Sequence, residues 1–443
     1  MLQPLVHVLV VNWNGLEHLE SCFESLLRQS YTNARYILID NASRDGSADY
    51  VEKTFGQDPR VELLRCDTNL GWSRGNNAGI ERALREGADY VFLLNNDTAT
   101  APDTIERMVE FAERTPRAGA LAPKMVLFDQ PDLLNSLGLG CSLVACAWDL
   151  GLGRLDGPRW SEAAPVIGAC GGACLLRSEA LRKTGPLPVD YDIYLDDLDL
   201  CLRIWDAGYE VWTCPAAVVR HKFSATMGTG ALARRKYYLN TRNRMRLMLR
   251  NYPASHLPHA LAAFAVSEAR AIGRSLLERE WWRAAAHVRA WCSDAAFVPN
   301  AVAARRDARR RGLERGRFWP FIRTDMMFFP GIELPHRGWY EPRSTPLGTF
   351  QPISRSATLV SDGGRLSLSH VNCYPRLGPT DIELRAGGSP IARFGTQRVD
   401  SLTVDVPPGE LEFVANRIFW AEETGESIDV GGWIAVTRNH VKS

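Results

Sequence analysis

The sequence predicts an α/β protein whose central sheet is mostly parallel and carries helices on both faces. Short apolar runs at 6–11, 36–39, 61–64 and 90–94 alternate with segments of helical periodicity, the pattern of repeated strand–helix–strand units. Polar and acidic turns follow these runs, and ligands of open α/β sheets bind beyond the carboxyl ends of the strands. The sequence therefore predicts a ligand site along one edge of the sheet.

The composition is that of a large globular protein, with 443 residues, 45% hydrophobic content and a formal net charge of +1. A charge so close to zero gives no reason to expect a nucleic-acid partner. The ten cysteines form no CxxC pair, which fits a reducing compartment. The N-terminus does not read as a signal peptide, and no apolar run approaches the ~20 residues of a membrane span. We expect a cytoplasmic protein.

Changes in composition divide the chain into three predicted regions. An α/β domain occupies 1–229, and a helical, Ala-rich and Arg-rich segment follows at 230–317. From 318 to 443, short alternating runs are separated by turn signals such as Pro407-Pro408-Gly409, which predicts an antiparallel β-sandwich.

The helical segment begins in a block of basic residues. No acidic residue occurs between Glu210 and Glu268, whereas arginines and lysines are frequent there. Together with Phe264, Trp281 and Trp282, this block predicts peripheral contact with an anionic membrane, at the inner face of the cell membrane. The alternative is that the apolar faces pack against the α/β domain and the arginines stay solvated.

Asp97 ends the triplet Asn95-Asn96-Asp97, directly after an apolar strand. A carboxylate at this position suits Mg²⁺ or Mn²⁺, which favour oxygen ligands and neutralise a diphosphate. It equally suits the N-cap of a helix that starts near Pro102.

Two further turns carry amide and carboxylate groups. Asp40 and Asn41 follow the second strand and predict either an Asx turn or hydrogen bonds to a nucleotide base or ribose. The stretch Asn69-Leu-Gly71-Trp72 through Asn76 is a glycine-containing turn into a helix, where backbone and amide groups approach a polar ligand closely.

Three carboxylates crowd the start of a later helix, at Asp196, Asp197 and Asp199. Such crowding favours the raised pKa that a general base requires, although acidic residues also cap helices favourably. His221 follows the apolar strand 216–219, where it is either a structural histidine or an imidazole ligand of the same cation.

Taken in order, these stretches resemble glycosyltransferase family 2, in particular its rhamnosyltransferase-like members. The resemblance extends from Val6 to Arg250 and is carried by seven stretches: Val10-Val-Asn-Trp-Asn14, Asp40-Asn-Ala-Ser-Arg-Asp-Gly-Ser47, Asn69 to Asn76, Leu93-Leu-Asn-Asn-Asp-Thr98, Gly171-Gly-Ala-Cys-Leu-Leu-Arg177, Asp196-Asp-Leu-Asp-Leu-Cys-Leu-Arg203 and Pro215-Ala-Ala-Val-Val-Arg-His221. It implies a GT-A fold and a metal-dependent hexosyl transfer, with inversion, from a nucleoside-diphosphate sugar to a glycan or lipid-linked glycan, in cell-surface polysaccharide synthesis.

The resemblance also implies roles for single residues. Asp40 would read the base, Asn95 would lie by the ribose, and Asp97 would hold the metal, with His221 ligating metal or diphosphate. Asp197 would be the catalytic base, with Asp196 beside it as the second candidate. The implied nucleotide-sugar-binding set is Asn12, Asn14, Asp40, Asn41, Asn69, Gly71, Trp72, Asn76, Asn95 and Asn96.

A second hypothesis is a carbohydrate-binding or scaffold protein with an inactive α/β domain. In that case the C-terminal β module would bind sugar through aromatic rings, which otherwise would fill its core. The candidate rings are Trp339, Tyr340, Tyr374, Phe419, Trp420 and Trp433.

Overall fold

A computed structural model describes the chain in two compact units, which we treat separately. The described residues are 3–222, 230–325, 340, 343–345, 348–374, 377, 379–395, 399–415, 417–419, 429–430 and 432–438. The α/β unit comprises Met1–Pro131, Asn135–Gly151 and Pro158–Phe329, and the β unit comprises Asp132–Leu134, Leu152–Gly157 and Pro330–Ser443.

The main sheet of the α/β unit has nine strands within the described residues, in the order β3-β2-β1-β4-β10-β6-β11-β5, with β7 beside β6. Its strands are β1 (Val6–Asn12), β2 (Ala34–Asp40), β3 (Val61–Arg65), β4 (Tyr90–Asn95), β5 (Thr98–Thr100), β6 (Ala118–Leu127), β7 (Leu134–Ser136), β10 (Ala173–Arg177) and β11 (Glu210–His221). A three-stranded sheet joins β8 (Leu139–Ser142), β9 (Ala147–Asp149) and β12 (Ile322–Arg323).

Six helices accompany these strands before the helical segment begins. They are α1 (Leu16–Leu27), α2 (Ser47–Phe55), α3 (Gly71–Arg85), α4 (Thr104–Arg114), α5 (Ser178–Thr184) and α6 (Asp196–Asp206). The pairs β1–β2, β1–β4, β2–β3 and β6–β11 are parallel, whereas β10 and β5 run antiparallel to their neighbours. The predicted α/β class with a mostly parallel sheet is confirmed.

The central strand β1 is buried on both faces, as its unbroken apolar run predicts. Val8 and Val10 pack into one core with Phe23 of α1, whereas Leu9 packs into the opposite core with Ile80 of α3. The sheet therefore separates two cores, and its register is fixed by packing on both sides.

The helical segment consists of α7 (Gly230–Asn251), α8 (Leu257–Leu277) and α9 (Trp281–Arg310), and it belongs to the α/β unit. The expectation that its basic block stays solvated or faces a membrane is wrong for the arginines in the second half of α7. A buried guanidinium needs a carboxylate partner, and here the partners come from outside the acid-free stretch. The ion pairs are Arg244–Glu268 at 3.2 Å, Arg246–Asp294 at 3.1 Å and Arg250–Asp199 at 3.2 Å.

Of the three aromatic residues predicted to insert into a membrane, one is well exposed. Phe264 is 2% exposed and packs in the core of the α/β unit, so its predicted insertion is wrong. Trp282 is half-buried, whereas Trp281 is 64% exposed. In the part of the chain that the structure describes, no helix combines the length and apolar character needed to cross a bilayer.

The β unit contains one antiparallel sheet, in the order β13-β14-β19-β15-β18-β16-β17. Its strands are β13 (Arg343–Thr345), β14 (Gly348–Ile353), β15 (Ser356–Val371), β16 (Ile382–Ala386), β17 (Ser389–Phe394), β18 (Val399–Ala415) and β19 (Gly432–Arg438). The antiparallel strands of the predicted β-sandwich are confirmed, but the turn predicted at Pro407-Pro408-Gly409 is wrong. β18 runs through these residues beside β15, whereas its pairing with β16 covers residues 411–415.

Several aromatic rings of the β unit are already packed against protein. Tyr340 and Phe419 are buried, and the rings of Tyr374 and Phe419 lie 5.4 Å apart. These three positions fit the core interpretation rather than sugar stacking. Trp339 and Trp420 lie outside the described residues.

Candidate active site

The ends of β1, β2 and β4 meet at one edge of the sheet and are joined by side-chain hydrogen bonds. Asn12 lies opposite Asp40 in the register of β1 and β2. The Asn96 amide donates to Asn12 Oδ1 at 2.6 Å, and Asn12 Nδ2 donates to Ser43 Oγ at 3.2 Å. The backbone N–H of Asn14 donates to the same hydroxyl at 3.0 Å. Asn12, Asn14, Asp40 and Asn96 thus belong to one cluster.

Asp40 and Asn41 each keep one oxygen without a partner. Asp40 Oδ2 accepts the N–H of Ser43, three residues on, at 3.1 Å, rather than the N–H two residues on that an Asx turn uses. Asn41 Nδ2 donates to the carbonyl of Gly71 at 3.1 Å. The remaining oxygens, Asp40 Oδ1 and Asn41 Oδ1, are buried and have no hydrogen-bond donor. A buried acceptor without a donor is costly, and a ligand N–H or O–H relieves that cost.

The glycine turn brings an indole into the cluster. Gly71 has φ of +78°, and its N–H is held at 2.8 Å by the exposed Asn69 side chain. The next residue, Trp72, donates its indole N–H to Asn95 Oδ1 at 3.1 Å. Asn76 is buried one turn into α3 and donates to the Trp72 carbonyl at 3.0 Å.

Asp97 lies between β4 and β5, and α4 starts only at Thr104. The alternative that Asp97 caps this helix is therefore wrong. The pairing of β5 with β11 places His221 opposite Thr98, so the imidazole reaches the Asp97 carboxylate. The Nε2 atom of His221 is 3.4 Å from Asp97 Oδ1.

This carboxylate–imidazole pair fits a divalent cation. His221 Nδ1 lies 2.5 Å from Asn135 Oδ1, an acceptor, which assigns the ring proton to Nδ1 and leaves the Nε2 lone pair facing Asp97. Asp97 Oδ1 is buried and has no hydrogen-bond partner. Within the described residues no group of three His, Cys, Asp or Glu could hold a metal, so phosphate or water oxygens would complete the coordination.

The acidic pair at the start of α6 is divided between pocket and core. Asp197 is half-buried, and its Oδ2 accepts the N–H of Gly171 at 2.8 Å. Asp196 is 3% exposed and accepts a hydrogen bond from the Ser73 hydroxyl. Burial raises the pKa of both carboxyls, and the adjacent Asp197 charge raises the pKa of Asp196 further.

Asp199, the third carboxylate of this crowd, does not belong to the pocket. It is fully buried and is bound by Arg203 at 2.8 Å and by Asn251 at 2.6 Å. Burial acts to raise its pKa, but Arg250 and Arg203 outweigh burial and hold that pKa below the ordinary value. Asp199 is therefore a structural anion that joins α6 to α7.

Gly171 connects the acidic pair with the strand-end cluster. A Cβ atom added at Gly171 would lie 2.6 Å from the Trp72 ring and 3.3 Å from Asp197 Cβ. The backbone therefore passes between the indole and the carboxylate at a distance that only glycine allows. A chain of direct contacts runs from Asn95 through Trp72 and Gly171 to Asp197.

Sequence reasoning missed two residues of this site, Asn135 and Asp149. Asp149 ends β9 and keeps one buried oxygen without a partner. Burial raises the pKa of Asp149 to about 6. The nearby Asp197 also raises this pKa, whereas a hydrogen bond with Ser136 and the nearby His221 lower it. The sequence from 128 to 170 has neither clear periodicity nor a recognised motif, so no local signal singled out either residue.

Three features lie at this edge of the open α/β sheet: buried acceptors without donors, a carboxylate–imidazole pair, and a carboxylate with a raised pKa. Together they fit the class of enzymes that act on a nucleotide-activated substrate. Residues 7–184 match the model of the family described as glycosyl transferase family 2. This stretch is less than half of the 443 residues, and within it the chain is similar to the glycosyltransferases of that family, which supports glycosyltransferase activity.

Individual relatives agree with the family match. The chain is 29% identical over 249 residues to N-acetylglucosaminyl-diphospho-decaprenol L-rhamnosyltransferase of Mycobacterium tuberculosis (strain ATCC 25618 / H37Rv), covering 51% of this chain and 78% of that protein. It is 30% identical over 109 residues to a putative teichuronic acid biosynthesis glycosyltransferase of Bacillus subtilis (strain 168), covering 25% of this chain and 42% of that protein.

Solved structures show a weaker likeness. A mannosyltransferase from Pyrobaculum calidifontis in complex with GDP-Man and Mn²⁺ is similar over 69% of this chain and 88% of its own, with 18% identity and a TM-score of 0.42. Because this score is below 0.5, the fold assignment rests on the family match and on the topology described above.

We expect Asp196→Asn to stabilise the protein more at pH 8 than at pH 5. The folded protein holds the Asp196 proton above the ordinary pKa of about 4, so wild-type stability falls as pH rises from that value through the raised pKa. Asparagine keeps the Ser73 hydrogen bond and removes the buried charge. Thermal unfolding should show a melting temperature higher by roughly 2 °C at pH 8 and a smaller difference at pH 5. Asp67→Asn, at an exposed site, is the control, and an equal shift at both pH values would contradict the assignment.

Proposed function

We propose that this protein is an inverting, metal-dependent glycosyltransferase that moves a sugar, with rhamnose as the candidate, from a nucleoside-diphosphate sugar to a hydroxyl of a glycan or lipid-linked glycan. Its place would be cell-surface polysaccharide synthesis. The rhamnosyltransferase and teichuronic acid relatives support this substrate class by their names.

One observation carries the proposal: buried oxygens without donors lie at the ends of β2 and β4, the two strands that flank β1. Asp40 Oδ1 and Asn41 Oδ1 lie at the end of β2, and Asp97 Oδ1 follows β4. The first two suit the N–H and O–H donors of a base and a ribose, and the third suits a cation that bridges a diphosphate. A nucleoside diphosphate presents these groups in the same order, from base to phosphate.

Asp197 is proposed as the base of the transfer. A sugar hydroxyl is a poor nucleophile near neutral pH, so its proton must leave as the oxygen attacks the anomeric carbon. Asp197 reaches the pocket from the first turn of α6, and the Gly171 N–H fixes its orientation. Its raised pKa makes it a better proton acceptor than an ordinary aspartate. A single displacement with one base inverts the anomeric centre.

Asp97 and His221 are proposed to hold the divalent cation. A bound cation supplies charge neutralisation for the departing nucleoside diphosphate. Asn135 keeps the His221 ring in the tautomer that offers Nε2, a partnership common among metal-binding histidines. With one carboxylate and one imidazole from the described chain, the site should bind its cation well only when the nucleotide is present.

We expect Asp197→Asn to lower the transfer rate by about 100- to 10,000-fold and leave donor affinity nearly unchanged. Asparagine has the size of aspartate but cannot accept the acceptor's proton. Single-turnover transfer and donor binding by calorimetry measure the two quantities separately. Asp196→Asn is the matched variant at the neighbouring carboxylate. If it loses more rate than Asp197→Asn, Asp196 is the base.

We expect Asp97→Ala to abolish transfer without lowering the melting temperature, because it removes the one carboxylate proposed for the cation. Wild-type activity should disappear in excess chelator and return with Mg²⁺ or Mn²⁺. Asp103→Ala, at the half-buried N-cap residue of α4, is the control and should stay active. Full turnover of the wild type in chelator would exclude the metal role.

Peripheral membrane attachment is also proposed, but through a surface other than the basic block. Among the exposed positions of α9 between 281 and 303, Arg289 is the only charged residue, and Leu277, the last residue of α8, is 86% exposed. We define the α8–α9 surface by its exposed large side chains, Val266, Leu276, Leu277, Trp281, Val288, Trp291, Val298 and Val302. Exposed arginines accompany it at 270, 274, 279 and 289, and each contributes about 1 kcal/mol near an anionic leaflet.

We expect the protein to float with phosphatidylglycerol-containing vesicles at low salt and to detach at high salt. Leu277→Asp combined with Trp281→Asp should reduce binding at least about tenfold, because it places charge on the α8–α9 surface. Val360→Asp, at an exposed valine of β15, is the control. If the protein does not float at low salt, a soluble acceptor would fit the protein better than a membrane-bound one.

A further inference from the structure

The segment that leads into the acidic pair has an unusual backbone. Asp192, Tyr194 and Leu195 have φ of +73°, +72° and +65°, and none of them is glycine. L-residues adopt this left-handed region at a cost, and such a backbone persists only where its surroundings hold it. Leu195 is also the N-cap of α6, so the strain ends directly at Asp196 and Asp197.

One buried amide on α7 holds this segment. Asn243 is 0% exposed, and its Nδ2 donates to the carbonyls of Tyr191 at 3.0 Å, Ile193 at 2.8 Å and Tyr194 at 2.9 Å. An amide nitrogen carries two hydrogens, so one of them is shared between two carbonyls. A side chain that binds three carbonyls within residues 191–194 in this way fixes the conformation of that backbone, not merely its position.

Cationic side chains of α7 hold the same segment from both sides of Asn243. Arg242 and Arg246 donate to backbone carbonyls, and Arg250 and Arg235 pair with carboxylates. Arg242 donates to the Tyr191 carbonyl at 2.5 Å, and Arg246 donates to the Asp190 carbonyl. Arg250 pairs with the Asp190 carboxylate at 3.1 Å, and Arg235 pairs with the Asp192 carboxylate at 2.8 Å. The basic block therefore holds residues 190–194 in place.

We propose that Asn243 is a positioning residue for the proposed base: by fixing the 190–195 backbone, it sets where the first turn of α6 presents Asp197. The inference rests on the proposed function. Asn243 touches neither reacting atoms nor the strand ends that would hold the nucleotide, so its loss should misplace the base and spare the donor. Misplacement by about 1 Å is enough to reduce a rate by about 100-fold.

The test compares Asn243→Ala with Asn240→Ala. Asn240 lies on the same helix, is half-buried, and donates only to the Lys236 carbonyl of its own helix at 3.0 Å. We expect Asn243→Ala to lower kcat for sugar transfer by about 10- to 100-fold, with donor Kd within about twofold of wild type. Asn240→Ala should retain wild-type kcat and Kd. Donor binding also reports the folded fraction, so kcat is expressed per binding-competent molecule.

Two further measurements make the outcome decisive. Hydrogen exchange of peptides covering 190–197 should accelerate in Asn243→Ala and stay unchanged in Asn240→Ala. Asn243→Ser, which is smaller but keeps one donor, should recover part of kcat if the hydrogen bond matters rather than the filled volume. Equal kcat for both alanine variants, or a donor Kd that worsens in step with kcat, would overturn the positioning role. A wild-type protein that transfers no sugar would instead contradict the proposed function.

Discussion

The polar edge of the active site depends on the parallel register of β1 with its two neighbours. With Asn12 opposite Asp40 and Val11 opposite Asn95, three strands stop at the same level, and their last side chains share one pocket. A slip of one residue would turn these side chains to the other face of the sheet. Apolar packing on both faces of β1 prevents that slip, so the core and the ligand site are specified by the same residues.

The acidic pair reaches this pocket from a different part of the chain, and it does so through close backbone approach. Gly171 passes between Trp72 and Asp197, and Trp72 in turn is bonded to Asn95. The distance between the strand-end cluster and the proposed base, Asp197, is therefore set by the Trp72 indole and by Gly171 rather than by flexible side chains. Gly171 has no side chain to rotate and its backbone lies against the Trp72 ring, so this close approach helps to preserve a reactive geometry.

The sequence predicted features that depend on local pattern and failed on features that depend on distant partners. The strands, the strand-end turns and the start of α6 follow from apolar periodicity and turn residues within short windows. Asn135 and Asp149 lie in a stretch without such a pattern, and only the paired strands bring them to His221 and Asp197. The acid-free window predicts surface charge for the arginines of α7, because their partners Glu268, Asp294 and Asp199 lie outside it.

The burial of these arginines indicates how much of the chain the proposed active site requires. The family match ends at residue 184, before Asp197, His221 and α7. Removing α7 would take Arg250 and Asn251 from the buried Asp199 carboxylate and leave it with only Arg203 and Tyr191 among its described partners, and a buried charge that loses partners destabilises the fold. It would also release the strained backbone that leads to Asp197. The helical segment is therefore part of the active-site scaffold, because the charge that stabilises α6 and the amide that orients its first turn both come from α7.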